Sequence, residues 1–393
     1  MTTQPTLLTI GDYEARARQT MPQALFDRLF GDLGAPDWIT NTNNVQAMSE
    51  VKLRPRILVD VTERDLTTTV LGEEISMPVM LAPTGTHQRA HPMGELASTR
   101  AAGEAGTILG LSTASSYSIE EVAEVATNSL WFQLYFFENR ELTEILVHRA
   151  EQAGYKAMML TVDNLGANSR EREYRYAYIL DQERTLKNFQ GIELPNLPTR
   201  ENFAESFESG LNWSDLEWLR SITSMPLVIK GVQTAEDARL CAEYGCEALV
   251  VSNHGGHALQ GTEGTIEMLP KIADAVGDRL EVYLDGGVRK GADVLKALAL
   301  GARAVFVGRP IFWGLSVNGE DGVRHCLEIL RNELSVTMGL CGVTDVKQVD
   351  RSVAQDPASD SGGVVGELER LARLLDQGYI TREEFESLKG RLL

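Results

Sequence analysis

Cysteine is scarce in this chain: four residues in 393, namely Cys241, Cys246, Cys326 and Cys341. None forms a C-x-x-C pair or a zinc-ligand spacing, which excludes a disulfide framework and a structural zinc knot. Long apolar runs are missing too, since no stretch approaches the roughly 20 residues that a membrane helix needs. The opening residues MTTQPTLLTIGDYEARARQTMPQ lack the basic and then apolar pattern of a secretory signal. A reduced, cytoplasmic protein without a membrane span is therefore expected. Positive charge is the third shortage. Against 56 Asp and Glu stand 37 Lys and Arg, a net charge of −19. Such a surface repels phosphate backbones, so no nucleic-acid partner is expected.

What the chain does contain is a repeated unit: a short apolar run, a polar turn and an amphipathic stretch. The runs are PVMLAP from Pro78, TILGLS from Thr107, LWFQLY from Leu130 and AMMLTVD from Ala157, followed by PLVIKG from Pro226, ALVVSN from Ala248, EVYLDGG from Glu281 and AVFVGR from Ala304. Continuous rather than alternating apolar residues mark strands buried on both faces, as in parallel sheets. Ser118 with Glu121 and Ser214 with Glu217 stand at capping-box spacing before helical segments, and Thr234 offers a similar start. Strand and helix alternating eight times predict an α/β fold, a (β/α)8 TIM barrel. A doubly wound sheet is the rival, but its G-x-G-x-x-G fingerprint is missing after the first strand.

Barrel enzymes carry their chemistry at the C-terminal strand ends. Here those ends hold Thr84, Ser112, Gln133 with Tyr135, Thr161 with Asp163, Lys230, Ser252 with His254, Asp285, and Gly308 with Arg309. Any one of them alone reads as a cap or a turn residue; eight polar or glycine ends together describe a pocket. The segments LDGGVRKGADV and FVGRP add glycines and arginines at the ends of strands seven and eight, the usual barrel phosphate site. Arg289 and Arg309 are the expected phosphate ligands. A phosphate cup beside an amide, hydroxyls and a lysine suits flavin mononucleotide (FMN), with Gln133 at the polar ring edge and Lys230 where negative charge develops. A phosphorylated sugar would use the same cup, and the spacing leaves both open. A Schiff-base barrel built on Lys230 is a further alternative.

The stretches VSNHGGHALQGTEGTIEMLP, LDGGVRKGADVLKALALGARAVFVGRP and FQLYFFENRE resemble the FMN-dependent 2-hydroxy-acid oxidases and dehydrogenases, a family that includes glycolate oxidase, lactate oxidase and mandelate dehydrogenase. The likeness runs from about Ile10 to about Val353. It implies an enzyme oxidising an L-2-hydroxy acid of the lactate or glycolate kind to the 2-oxo acid, with FMN as cofactor. Dioxygen or a redox partner would take the electrons, and a homotetramer or larger assembly is implied as well. Pro83, Thr84, Gly85, Ser112, Gln133, Thr161 and Lys230 would surround the flavin ring, and Ser252 and Asp285 the ribityl chain. Gly286, Gly287, Arg289, Gly308 and Arg309 would hold the phosphate. His254 matches the catalytic base and Asp163 its carboxylate partner, while Tyr135 and Arg170 match substrate-side residues. A histidine base suits such an oxidation near neutral pH.

Two positions depart from the family pattern. Its members show H-G-x-R-Q-L-D, whose arginine clamps the substrate carboxylate; this chain reads His254-Gly255-Gly256-His257-Ala258-Leu259-Gln260. Near the N-terminus the family has a carboxylate-binding tyrosine, and the matching position is Arg28. Each lost charge-assisted contact costs roughly 1.5–3 kcal/mol of binding. The chain also resembles a divergent branch, the pre-mycofactocin synthases, in PTG at Pro83, HGG at His254 and FWGLSVNGEDGV from Phe312. That likeness implies the alternative activity, oxidation of a carbon–nitrogen bond in a peptide-derived or amine substrate.

The barrel is expected to span 1–354. Its segment of about 164–213, with NFQGIELPNLPTRENFAESFESG, reads as a lid. A Ser/Gly/Asp linker over 355–365 leads to 366–393, which resembles the helical hairpin module called SHOCT. Thr381 with Glu384 and an apolar stripe of Leu368, Leu371, Leu375, Phe385, Leu388 and Leu392 support two short helices there.

Overall fold

The computed structural model of the protein describes residues 7–31, 38–164, 186–199 and 202–355, and in the C-terminal stretch 368, 371–372, 374–375 and 380–392. Each apolar run becomes a strand: β1 Val79–Leu81, β2 Leu109–Ser112, β3 Leu130–Leu134, β4 Ala157–Thr161, β5 Leu227–Val232, β6 Ala248–Val251, β7 Glu281–Leu284 and β8 Ala304–Val307. They pair in parallel in chain order, and β8 closes on β1 with Val305 opposite Val79. The helices that follow them are α1 Gly94–Glu104, α2 Ile119–Val125, α3 Arg140–Gln152, α4 Asp215–Ile222, α5 Ala235–Glu243, α6 Thr265–Val276, α7 Gly291–Ala299 and α8 Arg309–Leu340. This is the (β/α)8 barrel that the alternation predicts.

Alternation along each strand divides the core in two. Met80, Trp131, Met159, Val228, Val250, Tyr283 and Phe306 point inward and form one cluster. Trp131 sits at its centre, 5.5 Å from the Tyr283 ring and 5.9 Å from Phe306. Truncating such a buried aromatic to Ala costs about 3–5 kcal/mol. The opposite faces, with Val79, Leu81, Phe132, Leu134 and Leu160, pack against the helix layer. A hairpin of Thr68–Val70 and Glu73–Ile75 adds Val70 and Ile75 to the inner cluster. The Leu71 N–H donates to the Glu281 carboxylate at the start of β7, so this hairpin closes the N-terminal mouth. The polar strand ends are left to the other mouth.

Among the helices of the barrel, caps follow the sequence at two of three expected places. Ser118 Oγ accepts from the Glu121 N–H at 3.2 Å while the Glu121 carboxylate accepts from the Ser118 N–H at 2.8 Å. Thr234 Oγ1 accepts from the Asp237 N–H at 3.1 Å. The Ser214–Glu217 box does not form. Ser214 already has helical dihedrals, and its hydroxyl donates to Asn212 Oδ1 at 2.6 Å, so an Asx turn takes the group that would have capped α4.

Among the described residues three helices precede the barrel: Ile10–Thr20, Gln23–Leu29 and Ile39–Glu50. The first packs on α8, where Tyr13 Oη meets His325 Nδ1 at 2.8 Å. The third lies across the C-terminal mouth, with the Thr40 hydroxyl donating to the Leu259 carbonyl at 2.9 Å. Beyond β4, residues 165–185 lie outside the described residues. The later part of the expected lid is tied to the end of β3, with the Glu208 N–H on the Phe136 carbonyl at 2.9 Å and the Glu138 N–H on the Ser206 carbonyl at 3.1 Å. Lys52–Leu53 pairs with Ala354–Gln355, where the barrel ends. Most of the linker expected over 355–365, and much of the first expected tail helix, lie outside the described residues. Helix Arg382–Leu392 is present behind its Thr381–Glu384 capping box and buries none of its residues, whereas Leu371 before it is buried. None of the described helices is long and apolar enough to cross a membrane.

Candidate active site

Parallel strands in register bring their ends to one level, so neighbouring polar residues meet. Lys230 near the end of β5 donates from Nζ to Ser252 Oγ after β6 and to Asp285 Oδ2 after β7, both at 2.9 Å. Burial pushes the Lys230 ammonium down, but Asp285 and Asp163 outweigh it and hold its pKa above the ordinary lysine value. Lys230 is thus a fixed cation at the mouth. At the neighbouring Gly231 (φ +114°) a Cβ would stand 2.7 Å from Asp163 Cβ, which only glycine avoids.

The turn after β6 is left-handed at three successive residues: His254 (φ 58°), Gly255 (60°) and Gly256 (80°). For a histidine this costs of order 1–3 kcal/mol and needs support from its surroundings. Support comes from the His254 N–H on Ser252 Oγ at 3.1 Å and from Nδ1 on Asp163 Oδ1 at 2.9 Å. The preceding Asn253 exchanges two side-chain amide hydrogen bonds of 2.8 Å with Asn44 on the third N-terminal helix. The Asp163 side chain is 3% exposed and that of His254 27%. Burial raises the Asp163 carboxyl, yet His254 and then Lys230 oppose it and leave the pKa below the ordinary aspartate value. An ionised Asp163 only accepts, so Nδ1 carries the proton and Nε2 offers its lone pair.

The remaining predicted residues line the same end of the barrel. Gln133 Oε1 accepts from Ser112 Oγ and from the Thr113 N–H, both at 3.2 Å, which orients the amide. Thr161 is buried and pairs in register with Lys230. In the loop after β1, Thr84 Oγ1 lies 2.7 Å from His87 Nε2, and a Cβ on Gly85 would stand 3.1 Å from Ala114. Gly286 (φ 94°) and Gly287 (84°) turn against Asn44, where a Cβ on Gly287 would meet the Asn44 carbonyl at 2.4 Å. Gly308 caps α8 and places Arg309 at its first turn. Arg309 Nη2 donates to the Gly255 carbonyl at 2.9 Å, and its guanidinium lies over Trp38.

These residues fit FMN by what they leave unsatisfied. Gln133 Nε2 and Asp285 Oδ1 are buried without a hydrogen-bond partner among the described residues, one a donor and the other an acceptor. The Arg289 guanidinium is desolvated over Trp313, and burial lowers its pKa, with Glu14 and Asp293 partly opposing. Its charge calls for an anion beside the glycine turn and the α8 N-terminus, which is what a phosphate monoester supplies.

The substrate-side expectations are less compact. Tyr135 stacks on Phe207 at 4.3 Å and meets Phe203 edge-on. His257 stands edge-on to Trp38 at 4.9 Å, its ring 6.4 Å from that of His254. Arg28 is buried on helix Gln23–Leu29, whose flanking Phe30 packs on Phe312 and Trp313. Arg170 lies outside the described residues. Sequence reasoning missed Thr113, Asn188 and Trp38. Asn188 Nδ2 donates to the Thr113 carbonyl at 3.0 Å and the Thr113 hydroxyl to the Gln133 carbonyl at 2.6 Å. An isolated polar residue inside a long loop carries no periodic signal for such a role.

The model of the FMN-dependent dehydrogenase family matches residues 17–356. Glycolate oxidase of Spinacia oleracea is 43% identical, the match covering 92% of this chain and 100% of that protein. The 2-hydroxyacid oxidase 1 of Homo sapiens is 44% identical, over 89% and 97%, and the L-lactate oxidase of Nostoc sp. 44%, over 90% and 99%. Among solved structures, mandelate oxidase superposes with a TM-score of 0.82 at 38% identity, covering 89% of this chain and 98% of that one. Matched along nearly its whole barrel, the chain belongs to the FMN-dependent dehydrogenase family, and FMN is its cofactor.

Proposed function

We propose that this FMN-dependent enzyme oxidises an L-2-hydroxy acid of the lactate or glycolate kind to the 2-oxo acid, with His254 as the base. The observation that carries this reading is the 2.9 Å bond between His254 Nδ1 and the buried Asp163, set beside the Lys230–Asp285 pair. Related glycolate, lactate and 2-hydroxyacid oxidases act on the acids in their names. His254 Nε2 takes a proton from the substrate, and Asp163 stabilises the imidazolium that results. Lys230 presents a fixed positive charge where negative charge develops on the ring's polar edge. FMN, held by Gln133, Ser252, Asp285, Arg289 and Arg309 with the glycine turns, supplies the two-electron acceptor. Tyr135, His257 and Arg28 face the substrate in this reading. Dioxygen is the proposed final acceptor, following the oxidase relatives, and a homotetramer or larger is the proposed assembly.

His257 in place of a guanidinium favours a second reading, oxidation of a carbon–nitrogen bond in a substrate without a free carboxylate. Product analysis separates the two. Holoenzyme incubated with L-lactate, glycolate and L-mandelate should yield the matching 2-oxo acids, and the D-enantiomers should yield none. Turnover of amines with no 2-oxo acid from any hydroxy acid would reverse the assignment.

A further inference from the structure

Directly behind Thr84 lies a buried histidine that the proposed chemistry does not use. His87 is 1% exposed, and its ring packs edge-on against Phe312 near the start of α8, at 5.0 Å. Both ring nitrogens meet hydroxyls: Nε2 lies 2.7 Å from Thr84 Oγ1, and Nδ1 lies 3.0 Å from Ser98 Oγ on α1. The backbone around it is pinned. Thr86 adopts φ 60°, a left-handed conformation unusual for a β-branched residue, and its N–H and hydroxyl both donate to the Ala114 carbonyl. The His87 N–H donates to Glu95 Oε1 at 2.9 Å, and that buried carboxylate also accepts from the Ser116 N–H at 3.0 Å. A strained turn held from both sides fixes this imidazole between Thr84 and Ser98.

The direction of the two hydroxyl bonds follows from counting protons. Burial lowers the His87 pKa, so the ring is neutral and carries one N–H. Ser98 Oγ has no other hydrogen bond among the described residues, so its proton belongs to Nδ1. The ring proton is then on Nε2 and is donated to Thr84 Oγ1. The other bond of the Thr84 hydroxyl, to the Ala82 carbonyl, is stretched to 3.5 Å. With its lone pair engaged by His87, the Thr84 hydroxyl keeps its own proton for a ligand.

We propose that His87 is a positioning residue for the flavin, fixing the Thr84 hydroxyl as a hydrogen-bond donor to the cofactor. The inference rests on the reading that Thr84 touches FMN. A neutral hydrogen bond of this kind corresponds to about a fivefold change in affinity.

The test is a double-mutant cycle on apoprotein reconstituted with FMN, read by the FMN dissociation constant and by the visible spectrum of the bound flavin. His87→Phe should weaken FMN about fivefold and shift the flavin absorption. His87→Gln, which keeps a side-chain N–H donor, should stay within about twofold of the unsubstituted protein. Thr84→Val should weaken binding, and adding His87→Phe to it should weaken it no further. Additive losses would show a packing role and overturn the inference while leaving the Thr84 contact standing. Thr84→Val with unchanged affinity and spectrum would overturn that contact and the inference with it. His87→Leu serves as the non-donor variant should the phenylalanine prevent folding.

Discussion

Replacing Asp163 by Asn tests the base assignment most sharply, because the change is isosteric and removes one charge. Asp163 Oδ1 lies 2.9 Å from His254 Nδ1, and the carboxylate is almost fully buried, so solvent screens little of the interaction. Opposite charges about 4 Å apart at an effective dielectric near 20 interact by about 4 kcal/mol. An asparagine oxygen retains a neutral hydrogen bond worth about 1 kcal/mol. The imidazolium therefore loses about 3 kcal/mol of stabilisation, which is about a hundredfold in rate at about 1.4 kcal/mol per decade. The assay is anaerobic stopped-flow reduction of the bound flavin by L-lactate at saturating concentration, which isolates chemistry from reoxidation. The reduction rate should fall by that factor, while FMN affinity stays near that of the unsubstituted protein. A rate within about threefold of the unsubstituted protein would refute the reasoning that Asp163 stabilises the protonated base.

Further expectations follow from other parts of the structure. Arg289→Ala removes the desolvated guanidinium from the proposed phosphate cup and should weaken FMN by about tenfold to a hundredfold, read by fluorescence titration of apoprotein. Lys230→Met breaks the buried pair with Asp285 and leaves that carboxylate uncompensated, which should cost about 3–5 kcal/mol of stability in denaturant unfolding. Arg149 grips Glu120 through two contacts of 2.8 and 2.7 Å and holds its carboxyl at about 2 instead of 4.5. That depressed pKa adds stability above pH 4.5 that is lost as pH falls toward 2, so Glu120→Gln should flatten the acid limb of the stability curve. The Glu120 side chain is half exposed, so the change should stay below about 1 kcal/mol. Deleting helix Arg382–Leu392 should leave flavin binding unchanged, because it buries none of its residues.

The strands were readable because a parallel barrel buries both faces of each strand. Runs such as AMMLT therefore stay apolar throughout and stand out from amphipathic helices. The strand-end residues were readable for the same reason: a polar side chain directly after such a run has only the barrel mouth to occupy. Lys230, Ser252, Asp285, Asp163 and His254 accordingly meet at one mouth of the barrel. The plug hairpin was hidden, since Val70 and Ile75 resemble any short β segment until the mouth they close is in place. Contacts between distant polar residues were hidden as well. Asn44 and Asn253 are 209 residues apart, and nothing local to either announces their amide pair. The Ser214 cap failed because spacing alone does not tell a capping hydroxyl from one taken by a neighbouring Asx turn. The His257 departure was legible as a letter, while the edge-on packing of its ring on Trp38 is encoded by no spacing.

The most direct test is an anaerobic visible spectrum of the holoenzyme titrated with L-lactate, glycolate, L-mandelate and a set of primary and secondary amines. The account predicts an oxidised FMN spectrum before addition and bleaching of the flavin bands by at least one L-2-hydroxy acid, with none by the amines. A flavin that stays oxidised with every hydroxy acid and bleaches with an amine would contradict it.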